Sequence, residues 1–112
     1  MSTVFIIKSS PTKGLRAYEG LRLIAAMLGM GNIPFIVFVE EGVRCLLRGA
    51  FKQTGREYLK TASDLAGISV LSESFEDIGI KIDDIDPELK AKIIGIDRLT
   101  SMVIESKATI AF

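Results

Sequence analysis

The chain has 112 residues, 48% of them apolar, and its 14 basic and 14 acidic side chains cancel. That reads as one domain, residues 1–112, with enough apolar material for its own core, and without the electropositive field that nucleic-acid binding usually requires, a local patch aside, so no nucleic-acid partner is expected. With no histidine, no tryptophan and one cysteine, Cys45, a Ser-His-Asp triad, a histidine or multi-thiolate metal site and an intramolecular disulfide are excluded, and no metal or cofactor is expected.

Thr3 to Lys8 is a short β-branched and aromatic run that reads as a buried strand. It has no basic leader before it and is too short for the core of a signal peptide. Ser9-Ser10-Pro11-Thr12-Lys13-Gly14 breaks it with turn residues. From Leu15 the period changes, with Leu15, Tyr18, Leu21, Ile24, Ala25 and Leu28 at helical spacing and Arg16, Glu19 and Arg22 on the other side. Pro34 to Val39 is a second continuous apolar strand, which implies helices on both faces of the sheet.

Gly42 to Arg48 reads as a short α-helix and Gly55 to Ala66 as a longer one, stopped by Gly67. Ile68 to Leu71 is the third strand, followed by a turn or helix to Ile78 and Gly79. Asp86 reads as a cap with Pro87 in the first helical position. Ile93 to Ile96 is the fourth strand, Asp97 caps a helix to about Glu105, and Lys107 to Phe112 is the fifth. The apolar stretches are interrupted by Gly29, Gly31, Pro34 and Glu40, so no membrane span and no membrane partner are expected. The alternation predicts a three-layer, flavodoxin-like α/β sandwich with an open, mainly parallel five-stranded sheet, in a chain expected in the cytoplasm.

Ligands of such sheets bind beyond the carboxyl ends of the strands. That singles out Ser9, Ser10, Lys13 and Gly14 in the first loop, Glu40 after the second strand, and Ser72, Glu73 and Ser74 after the third. Backbone amides near Gly14 could hold an anion, although an ordinary strand-to-helix turn accounts for the same residues. Ser72 and Ser74 lack a histidine base, and helix capping explains them equally well. Asp83, Asp84 and Asp86 lack the glycine and distal glutamate of a calcium loop and read as solvation and capping. Cys45 is the one soft nucleophile. Arg44 and Arg48 beside it would favour thiolate while Glu41 opposes it, and α-helical spacing sets it about opposite Val43, off the core stripe, although a free cysteine is more often buried or at a subunit contact than reactive.

Several segments carry a resemblance to a known family: the strand ending in Ser9-Ser10-Pro11 before Gly14 to Leu21, Phe38 to Val43 running into Leu46-Leu47, Val70 to Ile80, and the strand closing on Phe112. Over nearly its whole length the chain resembles the DsrE/DsrF/DsrH-like small sulfur-relay proteins, and within them the DsrF/TusC-like branch. The resemblance implies trimers or hexamers, or hetero-oligomers with other DsrE-like subunits, and exchange with a sulfur-carrier protein. It also implies a persulfide-bearing cysteine in the loop after the third strand. Leu71, or at the furthest Ser72, stands there, and neither can carry sulfane sulfur. Cys45 matches no motif of the family. Three functions follow as expectations: an accessory, non-catalytic relay subunit, a sulfurtransferase using Cys45, or a small-ligand binding module at the strand C-terminal loops.

Overall fold

The β-branched and aromatic runs become strands, and the amphipathic segments between them become the helices that cover the sheet. The computed structural model describes residues 3–112; Met1 and Ser2, the first residues of the N-terminal stretch read above, lie outside it. The strands are β1 (Thr3–Ile7), β2 (Phe35–Phe38), β3 (Ile68–Leu71), β4 (Lys92–Ile94) and β5 (Ala108–Ala111). The helices are α1 (Arg16–Gly29), α2 (Gln53–Leu65), α3 (Ser72–Ile78) and α4 (Ile96–Glu105), with 3-10 helices at Glu40–Leu46, Ile82–Asp84 and Pro87–Leu89.

All the strand pairs are parallel, in the order β4-β3-β2-β1-β5. From β1 to β4 each strand is laid down on the same side of its predecessor, so right-handed crossovers put the connecting helices on one face. The step from β4 back to β5 crosses the whole sheet and puts α4 on the other face. The two faces differ in cover. Phe5, Ile7, Ile36, Phe38, Ile68 and Val70 meet α1, α2, the Glu40–Leu46 helix and α3 in the larger core cluster. Val4, Val37, Val39, Leu71 and Ile94 meet α4 through Leu99, with Met102 and Val103 at the margin. The sandwich is therefore three-layered but lopsided, with one helix serving the whole second face.

Several local expectations change. Leu15 lies outside α1 and is 70% exposed, and the inward stripe is Ala17, Gly20, Leu21, Ile24 and Leu28. A glycine on that stripe is invisible to a hydrophobicity pattern. Asp97 does not cap α4: Gly95 holds the cap position and Asp97 falls in the first turn, where its charge still suits the helix dipole. β4 ends at Ile94 because the chain turns directly into that helix.

Asp86 does cap as expected, accepting the Glu88 N–H at 3.0 Å ahead of Pro87. It also pairs at 2.9 Å with Arg56 of α2, which reaches Glu88 as well, while Ser63 Oγ donates to the Leu89 carbonyl. These bonds pin the long connection before β4 to α2. Asp86→Ala should cost about 2 kcal/mol, combining a lost cap with a partly buried charge pair. Urea denaturation checks this, with Asp83→Ala as a control that should stay within about 0.5 kcal/mol.

Candidate functional site

The segment Glu40-Glu41-Gly42-Val43-Arg44-Cys45-Leu46 is the hinge of the site, and it is wound as a 3-10 helix. Three residues per turn bring i and i+3 into line. Gly42 and Cys45 form one inward ridge, Val43 and Leu46 a second, and Glu41 and Arg44 the outer one. The expectation that Cys45 lies off the core stripe rested on α-helical spacing, and the tighter winding overturns it. Cys45 is 0% exposed. Its Sγ–H points at the Ser9 carbonyl oxygen, 3.6 Å away. Burial pushes the thiol up from 9.0 to about 12, the reverse of the thiolate-favouring effect expected from the neighbouring arginines. Arg44 is engaged instead with Glu41 at 2.6 Å and with the Ile78 carbonyl at 3.4 Å.

Winding begins at Glu40, whose backbone sits at φ +51°. Its N–H donates to Ser74 Oγ at 2.8 Å. Ser74 is 2% exposed, so this serine is a buried clasp between α3 and the end of β2. The Glu40 carboxylate stays in solvent. Gly42 lets this helix lie directly on the end of β1: a Cβ there would stand 2.0 Å from the Ile7 carbonyl oxygen.

The loop expected after the third strand does not exist as such, because α3 starts at Ser72 immediately after β3. Leu71, at the position where the resemblance puts the persulfide cysteine, is a buried member of the second core. Ser72 Oγ donates to Glu73 Oε1 at 2.9 Å, and Glu73 Oε2 accepts the Ile96 N–H at 3.3 Å. These bonds, led by that from Ser72, hold the Glu73 carboxyl below its ordinary range. Glu73 thus ties the start of α3 to the start of α4.

In the first loop Ser10 Oγ lies 3.1 Å from Thr12 Oγ1 and accepts the Thr12 N–H at 3.2 Å. Ser9 N–H donates to the Phe112 carbonyl. Lys13 and Gly14 project into solvent ahead of α1, which lacks a side-chain cap. Ser10 and Thr12 instead face the Glu40–Leu46 helix and its extension, lining a cleft of about 210 Å³ with Arg44 and Arg48. The structure brings Glu40 together with Ser74, and Ser9 together with Cys45. Among the described residues, no hydrogen bond joins the Ser9–Gly14 loop to the Ser72–Ser74 turn. Sequence reading missed Arg44, Arg48 and Thr12 as partners in a cleft. The three-residue rhythm of apolar positions from Gly42 to Leu46 was the signal that could have found them.

An all-parallel five-stranded sheet with a buried 3-10 helix packed on its carboxyl end defines a small α/β protein whose site lies where β1, β2 and β3 end. The model of the DsrE/DsrF-like family matches residues 1–112, and the chain belongs to that family. Similar solved structures include the YchN protein of E. coli, with a TM-score of 0.78 at 15% identity over 100% of both chains. A protein of unknown function from Methanobacterium thermoautotrophicum, MTH1491, is similar with a TM-score of 0.73 at 16% identity, over 99% of this chain and 98% of its own. At that identity the likeness is one of fold. No sequence relative is found among curated proteins. No helix among the described residues is long and apolar enough to cross a membrane.

Proposed function

We propose that this chain is an accessory subunit of intracellular sulfur relay, one that does not itself carry sulfur. In this reading it works in the cytoplasm within a homo-oligomer, a trimer or hexamer, or beside other DsrE-like subunits that exchange sulfur with a carrier protein. The observation that carries the reading is the chemistry at the end of β3. Sulfane transfer needs an acceptor thiolate to attack the outer sulfur of a persulfide, forming a new S–S bond while the donor departs as thiolate. Leu71 and Ser72 offer no sulfur there, and the lone thiol, Cys45, is sealed in the core and protonated.

Intact mass after incubation with a protein persulfide donor tests it. The folded chain should gain no sulfur. Ser72→Cys, which sets a thiol at a half-buried helix start, should gain one sulfur atom that an acceptor thiol then removes. A single transferable sulfur on wild-type Cys45 in the folded state would sink the accessory reading and favour a sulfurtransferase. A binding module is the second reading, favoured by one feature: Ser10 and Thr12 line one cleft together with Arg44 and Arg48.

A further inference from the structure

β3 reads Ile-Ser-Val-Leu, and all of it is buried. Ser69 is its one polar side chain and is only 6% exposed. Strand alternation puts Ser69 on the same face as Leu71, the face that α4 alone covers. In register, Ser69 stands between Val37 of β2 and Lys92 of β4. Leu99 seats α4 on the apolar residues of that face, and the part left uncovered is a cleft of about 460 Å³. Phe35, Ala66 and Ile94 give it apolar walls; Ser69, Lys92 and Arg98 give it polar ones.

The charge of this cleft is one-sided. Its lining has two cations and no carboxylate. Like most of the basic side chains, Lys92 and Arg98 form no ion pair among the described residues. Lys92 and Arg98 are both exposed cations on the lining of this open cleft, where an anion would take charge-assisted hydrogen bonds from either. Ser69 adds a neutral donor at the floor. The volume of this open cleft falls in the range of small-molecule sites, which bind through apolar walls and a few convergent polar groups.

We propose that this cleft binds a small organic anion, a carboxylate or sulfonate with a short apolar group, its charge between Lys92 and Arg98 and its apolar part on Phe35 and Ile94. The site lies on the opposite face of the sheet from Cys45 and does not depend on the sulfur-relay reading. The test is a titration of isotopically labelled protein with phenylacetate, followed by amide NMR shifts, beside the uncharged phenylacetamide. Phenylacetate should shift resonances of residues 66–70 and 92–99 saturably, with a Kd of about 1 mM or tighter at low salt, and phenylacetamide should bind about tenfold more weakly. Lys92→Gln and Arg98→Gln alter exposed side chains and should leave the spectrum folded, each weakening phenylacetate about fivefold or more without changing phenylacetamide binding. Equal binding of acid and amide, or no saturable shift up to about 50 mM, would overturn the proposal. So would shifts confined to residues 10–12 and 44–50, or unchanged affinity in both variants.

Discussion

Gly42→Ala should destabilise the protein by at least about 3 kcal/mol, a large fraction of what a domain of this size has to lose. The added Cβ meets the Ile7 carbonyl oxygen at 2.0 Å and its carbon at 2.6 Å. Both belong to the backbone, so no side-chain rotation relieves the overlap. The same Ile7 carbonyl accepts the Val39 N–H at 3.0 Å, so moving it loosens the end of β2 and, through Glu40, the clasp on Ser74. Gly29→Ala is the contrasting control. Nothing lies within 4 Å of a Cβ there, and α1 should be unchanged or firmer by up to about 1 kcal/mol. Urea midpoints of the two variants should move in opposite directions or, at the least, only Gly42→Ala should fall. Similar midpoints would mean that the Glu40–Leu46 helix does not press on β1 as described.

Cys45 should make the protein weaker in alkali. Its thiol titrates at about 12 in the folded chain against an ordinary 9.0. Between those values the unfolded chain has lost the proton and the folded chain keeps it, so stability falls as pH rises, by about 1.4 kcal/mol per unit. From pH 8 to pH 10.5 the wild type should lose about 2 kcal/mol more than Cys45→Ala, in which that titration is gone. Every other side chain is common to the two proteins, so the difference between them isolates Cys45. Parallel denaturation curves across this window would show that the thiol is not held neutral by burial. In the same protein, alkylation of Cys45 at pH 8 should be about a thousandfold slower folded than unfolded, since only thiolate reacts.

Both results bear on function, because the accessory reading requires that the lone thiol be inert and that the segment around it be a packing element. Val43 and Leu46 are buried beside Cys45, and all three behave as core. The acidic and basic residues around it, Glu41 and Arg44, satisfy each other on the outer ridge.

The strands and the long helices were legible because their signal is local. Continuous apolar runs such as Phe35–Phe38 and the recurrence of Leu21, Ile24 and Leu28 report burial on both faces or on one stripe. The parallel sheet followed from alternation and from the handedness of crossovers, and DsrE/DsrF-like membership from short motifs spread along the chain. The site was less legible. Whether Glu40–Leu46 winds at three or 3.6 residues per turn is decided by contact with the end of β1, which a pattern within seven residues does not contain. That choice alone moved Cys45 from an outer face to the core.

By itself the sequence determined the repertoire: a neutral domain with no histidine, one thiol and no sulfur at the end of the third strand. It also determined which segments become strands and which become helices, since hydrophobic period is a property of neighbouring residues. Only the tertiary structure decided that Ser74 clasps Glu40, that Glu73 bridges two helix starts, and that Lys92 and Arg98 share a cleft over Ser69. Those relations join residues distant along the chain through strand order and through a single helix returning across the sheet. Burial, which set the state of the Cys45 thiol, likewise exists only once the layers have closed.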